Sequence, residues 1–198
     1  MEDRMTIELV PAGSPSVVLI EDSNVVQLNL SSSAIIEVGD SGIQSPRSNN
    51  IGVMYLKDNT IPTPIAAANG RAVVSGVMQT GELVNFQKHN GSNSLQYLGE
   101  TGRFLITITF NFYEGSQNTC GFYVGVNRNI TSALDPNADR ISESEIYSNA
   151  GTPSNQPQSS CVQTVLTLNY NDRIFFIVQN QDSATPITVE FMKIIAWQ

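Results

Sequence analysis

The side chains able to do chemistry are few in this sequence and far apart. His89 is the single histidine, which excludes a zinc site built from several histidines. A Ser-His-Asp triad would have to use it, yet no serine sits in a Gly-x-Ser-x-Gly elbow. Its neighbours Asn90-Gly91 make it a hairpin-loop histidine instead. Asp135-Pro136-Asn137-Ala138-Asp139 places three oxygen-bearing side chains at alternate positions, which is how a loop gathers several of the roughly six to eight oxygens that calcium takes. The full loop pattern then needs glycine at Arg140 and glutamate at Ile146, and both are missing. Asp135, Asn137 and Asp139 are thus weak candidate calcium ligands in what reads as a solvated acidic turn, and no other cofactor is expected. Glu143 and Glu145 would share a face on a strand, as paired carboxylates for glycoside hydrolysis, but such pairs come from opposite walls of a cleft. No catalytic residue is assigned.

Cys120 and Cys161 read as free buried thiols, since the start Met1-Glu2-Asp3-Arg4-Met5 lacks the basic and apolar pattern of a secretory leader. Tyr113, Phe122, Tyr123 and Tyr147 are set down as packing residues, with a sugar-stacking platform as the alternative. Asn29-Leu30-Ser31, Asn90-Gly91-Ser92 and Asn129-Ile130-Thr131 match the glycosylation triplet, as chance allows in an Asn- and Ser-rich chain.

The elements that must position these groups are strands. From Arg103 to Tyr113 the sequence alternates: Phe104, Ile106, Ile108, Phe110 and Phe112 fall on one face, Leu105, Thr107, Thr109, Asn111 and Tyr113 on the other, which no helix reproduces. Val162, Leu166, Leu168 and Tyr170 alternate with Gln163, Val165, Thr167 and Asn169. Ile174 to Val178 is continuously apolar, as suits a central strand buried on both faces. Ile187, Val189 and Phe191 alternate with Thr188, Glu190 and Met192, and the run continues to Trp197. Asn69-Gly70, Asn90-Gly91, Gly115-Ser116 and Asp182-Ser183 mark turns between runs, and Asn171-Asp172 reads as the tip of a hairpin. The best helical alternative, Ile141 to Ser148, is short and rich in serine. The fold class is all-β, an antiparallel jelly-roll sandwich.

The texture changes near residue 50. Residues 1–48 carry three short β patterns (17–20, 25–30 and 35–38) and read as an attachment or extension segment; residues 49–198 have the size of one jelly roll. The stretches 131–140 and 150–160 are long polar loops, and loops of about that length tend to be functional. Asp135, Asn137, Asp139, Asn155 and Gln156 are their candidate recognition residues.

The 198 residues hold 10 Lys and Arg against 18 Asp and Glu, a formal charge of −8, and the cations are dispersed. Nucleic-acid binding, which draws on clustered cations, is not expected. No apolar run approaches the roughly 18 residues that span a bilayer, so membrane insertion is not expected. Charged residues make up 14% where about 25% is usual, so Asn, Ser, Thr and Gln must wet much of the surface.

Leu168-Asn169-Tyr170-Asn171-Asp172-Arg173-Ile174-Phe175-Phe176-Ile177-Val178, followed by a last strand within 186–197, resembles the end of trimeric jelly rolls of the tumour necrosis factor and complement globular-head type. Asn171 stands where those domains usually have glycine before the aspartate. Gly52 to Thr60, then Pro62-Thr63-Pro64-Ile65, is similar to the opening of such domains in bacteriophage virion proteins, and Phe86-Gln87-Lys88-His89 and Leu95-Gln96-Tyr97-Leu98 follow that pattern. The resemblance covers residues 50–198. It implies a non-enzymatic homotrimer on the exterior of a phage virion, as a tail fibre, capsid decoration or host-attachment component. Other virion proteins would be held through the N-terminal segment, and a host glycan or surface protein would be the target. The second face of Arg103–Tyr113, with Val165 and Thr167, carries little charge for a solvent face. Leu105, Thr107, Thr109, Asn111, Tyr113, Val165 and Thr167 are therefore the expected trimer interface. The alternatives are a carbohydrate-binding module unconnected with a virion and, behind it, a glycan hydrolase.

Overall fold

The structure, a computed structural model, describes residues 50–116, 118–149 and 157–198. The expected segment 1–48 and the loop residues Asn155 and Gln156 lie outside the described residues.

Among the described residues eleven strands build two antiparallel layers. They are β1 (Ile51–Leu56), β2 (Gly70–Val73), β3 (Gln79–Val84), β4 (Phe86–Lys88), β5 (Leu95–Tyr97), β6 (Gly102–Glu114), β7 (Thr119–Asn127), β8 (Ile146–Asn149), β9 (Gln158–Leu168), β10 (Arg173–Asn180) and β11 (Ile187–Trp197). The first sheet runs β3-β1-β11-β6-β9, the second β4-β5-β10-β7-β8, with β2 pairing the far half of β10. The described helix is one 3-10 turn at Ser142–Ser144. The chain is the antiparallel jelly roll that the period-two patterns require.

Alternation puts the core where it was expected. Phe104, Ile106, Ile108, Phe110 and Phe112 of β6 are all buried between the layers. Phe110 meets Phe122 of β7 at 4.5 Å and Phe176 of β10 at 4.7 Å between ring centroids, and Phe112 meets Phe122 at 4.5 Å. A second aromatic group, Phe86, Tyr97 and Phe104, fills the other end. These tilted and edge-on contacts suit the quadrupoles of the rings.

β10 is buried along its whole length, because its outer face is covered too. Phe175 and Ile177 pack there with Tyr123 beneath Val73 and Leu134. Gly125 makes room for this: a Cβ on it would lie 2.5 Å from the Phe175 ring. Leu134 belongs to the 128–140 loop, which folds back over the sheet through Val126 N–H to Asp139 O (2.8 Å) and Ile141 N–H to Val124 O (2.9 Å).

Several local expectations are corrected. Asn171-Asp172 does not tip a hairpin. β9 pairs with β6 in the first sheet, while β10 pairs with β7 and β5 in the second, so the turn is a corner between layers. Asn171 takes the left-handed backbone (φ 73) that glycine takes more often. Tyr170 lies in this corner and is exposed rather than sharing the face of Val162 and Leu168. In β11 the register shifts between Val189 and Phe191. After that bulge Met192, Ile194 and Ala196 continue the buried face of Ile187 and Val189, and Phe191 is only half-buried. Cys120 is buried, but Cys161 is exposed.

Candidate functional site

All seven residues expected at a self-association surface lie on one face of the first sheet. Leu105, Thr107, Thr109, Asn111 and Tyr113 alternate with the buried positions of β6, and Val165 and Thr167 stand exposed on β9. The strand registers add residues that sequence reasoning missed. Val84 pairs with Ile51, Ile51 with Trp197, Trp197 with Leu105, and Leu105 with Val165. This uncharged apolar row crosses the whole sheet. Trp197 is 51% exposed, Val165 50% and Val84 41%. The next row is Val53, Ile195, Thr107 and Gln163. The third is Gln79, Tyr55, Lys193, Thr109 and Cys161, where Lys193 supplies the one charge. Unbroken alternation from Ile187 and Val189 puts Ile195 and Trp197 on the buried face, and only the shift in register ahead of Phe191 turns them outward.

The acidic loop has committed its oxygens. Asp135 Oδ1 accepts from the backbone N–H of Asn137 (2.8 Å) and Ala138 (3.1 Å), which holds its carboxyl below the usual range. Asp139 Oδ2 accepts from Asn127 Nδ2 (2.7 Å) and the Asp135 N–H (2.9 Å), and Asn137 Oδ1 accepts from Arg71 Nη1 (3.3 Å). Each of the three thus accepts from a donor of the chain itself. Among the described residues no cluster of His, Cys, Asp or Glu could hold a metal ion.

Glu143 and Glu145 do not share a strand face. Glu143 sits exposed in the 3-10 turn, and Glu145 follows it just ahead of β8. Glu145 Oε1 accepts from the hydroxyls of Tyr123 (2.5 Å) and Tyr147. Burial, and then the Glu145 carboxylate, push the Tyr123 hydroxyl above the ordinary phenol range, while Arg71 works against them. A phenol held protonated this way donates; it does not attack. Arg71 and Arg140 lie over the Tyr123 ring at 5.5 and 5.1 Å. Of the four aromatics weighed as a sugar platform, Tyr123 and Tyr147 meet with their hydroxyls 3.3 Å apart, but Phe122 is in the core and Tyr113 is on the first sheet, so the four share no surface.

His89 opens the β4–β5 hairpin loop as expected, with Nδ1 at 2.9 Å from Ser92 Oγ, which itself is 2.7 Å from Ser94 Oγ. Burial, then the charge of Arg173, lower its pKa. Among the described residues no helix is long and apolar enough to cross a membrane.

No protein-family model matches this chain, and no curated protein sequence matches it. Among solved structures, an Eiger TNF from S. frugiperda superposes with a TM-score of 0.51 at 11% identity, over 77% of this chain and 94% of that one. A murine APRIL crystal structure at pH 5.0 gives 0.45 at 12% identity, over 75% and 100%. The first likeness identifies the two-layered sandwich as a jelly roll of the tumour-necrosis-factor type.

Proposed function

We propose that the chain is a non-enzymatic structural protein of a bacteriophage virion, a homotrimer displayed on the exterior as a fibre, decoration or host-recognition component. The observation that carries the trimer is the row Val84, Ile51, Trp197, Leu105 and Val165, which spans the outer face of the first sheet without a charge. An isolated sandwich keeps such a face polar; one that meets its copies does not. Around a threefold axis each contact joins unlike surfaces and closes after three subunits, which suits a broad face bounded by the edge strands β3 and β9. The virion assignment rests on the sequence resemblance of residues 52–60 and 62–65, with 86–89 and 95–98, to phage jelly rolls. Residues 1–48 would bind neighbouring virion proteins, and the loops of the second sheet would face outward. The capture of Glu145 by two tyrosine hydroxyls supports binding over hydrolysis.

Light scattering tests the assembly. The expected mass is three times the chain's 21.5 kDa. Leu105→Asp, or Tyr113→Asp, is expected to give a folded monomer. An unpaired charge buried at an interface costs about 3–5 kcal/mol, and threefold symmetry repeats the cost at every contact. A monomer for the unsubstituted protein at high concentration refutes the trimer.

A further inference from the structure

On the second sheet, away from the apolar rows, a cleft of about 490 Å³ opens between the β4–β5 hairpin loop, the residues following β2 and the loop at 130–134. Its walls mix Val73, Ile130 and Leu134 with the hydroxyls of Ser92 and Thr131, and Arg173 helps to line it. No carboxylate lines it, although acidic residues outnumber basic ones 18 to 10 in the chain.

Arg173 is 2% exposed and takes part in neither ion pair of the described residues, Lys57–Asp58 and Arg128–Asp172. Its hydrogen bonds all leave from Nη2, to Asn127 Oδ1 (2.7 Å), Asn129 O (2.9 Å) and Ser132 O (2.6 Å). Nε has no partner. Asp139 acts on the guanidinium at a distance, but its Oδ2 is already held by Asn127 and the Asp135 N–H. A buried cation that meets only neutral acceptors is costly unless an anion reaches it. The other titratable group of the cleft, His89, is biased toward its neutral form by burial and by Arg173 itself.

We propose that this cleft binds a carboxylated sugar, the carboxylate meeting the Arg173 guanidinium and the ring lying among the hydroxyls and apolar walls. One fixed positive charge matches a monoanion better than a phosphate, which carries more charge and is usually met by several donors. The volume suits a small ligand, and mixed apolar and hydroxyl walls suit a sugar, with its C–H faces and hydroxyl rim. Asn93 uses its amide nitrogen on Val74 O and Gly76 O (2.9 and 3.1 Å), so its side-chain oxygen remains to accept from a sugar hydroxyl. This deepens the recognition role proposed above and rests on it, but the cleft is complete within one chain.

Calorimetric titration of the full chain with D-glucuronate and N-acetylneuraminate, against glucose, glucose 6-sulfate and inorganic phosphate, tests it. At least one carboxylated sugar is expected to bind, at least tenfold more tightly than glucose, glucose 6-sulfate or phosphate. Ile130→Glu sets a negative charge on an exposed rim position and is expected to weaken binding at least tenfold with an unchanged melting temperature. Arg173→Gln is expected to abolish it, and circular dichroism reports whether that variant folds. Binding of neither carboxylated sugar overturns the proposal, as does equal or tighter binding of glucose, the sulfate ester or phosphate. An Ile130→Glu protein that binds as tightly as the unsubstituted one overturns it too. A trimer that ignores both carboxylated sugars refutes the cleft alone; a monomer that binds one refutes the trimer alone.

Discussion

The two cysteines show how one side-chain type takes opposite roles from its place on a strand. Cys120 points into the core, and burial, followed by the nearby carboxylates of Glu114 and Asp182, pushes its thiol up to about 12. At neutral pH it holds almost no thiolate, which is the reactive species. Cys161 stands on the outer face of β9 beside Thr109, in the third row of the proposed interface. In the Leu105→Asp monomer Cys161 is expected to react readily with a disulfide reagent while Cys120 reacts only on unfolding. In the trimer Cys161 is expected to slow at least several-fold. A Cys161 that reacts equally fast in both proteins would place the interface elsewhere. Sequence showed that both residues lie in strands. The alternation of β9 already sets Cys161 on the face of Gln163 and Val165, opposite Val162. The expectation of two buried thiols came from the absent leader pattern, which bears on pairing and not on which face a cysteine takes.

At the scale of elements, strands with strict alternation were legible and their joints were not. β6 reads directly because five large apolar residues at alternate positions have one explanation. β10 reads as a doubly buried strand for the same kind of reason. The β11 bulge was hidden, since an extra residue between Val189 and Phe191 reverses the apparent phase of everything after it. The apolar row was hidden with it, because unbroken alternation assigns Trp197 to the buried face of Ile187 and Val189. The corner at Asn171-Asp172 looked like a hairpin tip because tight turns draw on the same residues whether they join neighbours in one sheet or pass between layers. What holds that corner is the Asp172 carboxylate, 3% exposed, which accepts from the Asn169 N–H (2.9 Å) and Arg128 Nη1 (2.9 Å). Arg128 is 53% exposed, so the ion pair is screened and contributes little. The buried acceptor for the backbone N–H contributes more. Asp172→Ala is expected to lower stability by about 1–3 kcal/mol, and Arg128→Ala by less than about 1 kcal/mol. Chemical denaturation checks both, through the midpoint at constant slope. Equal losses would mean that the ion pair, not the turn, holds the corner.

Over the whole molecule the two layers divide the work. The outer face of the first sheet is open and crossed by one apolar row, whereas loops cover that of the second and form the cleft around Arg173. If the first face is closed by sister copies, folding and assembly are one equilibrium, and stability follows mass action. For a folded trimer in equilibrium with unfolded chains, a tenfold rise in concentration adds two thirds of about 1.4 kcal/mol per chain, close to about 0.9 kcal/mol. For a domain of this size that raises the melting temperature by about 2–4 °C. The unsubstituted protein is expected to show this rise across each decade of concentration in calorimetry. Leu105→Asp is expected to melt at one temperature throughout, because a single subunit has no concentration term. A flat melting temperature for the unsubstituted protein, together with a trimeric mass, would mean that subunits unfold without separating, and that the apolar row contributes packing area but does not couple assembly to folding.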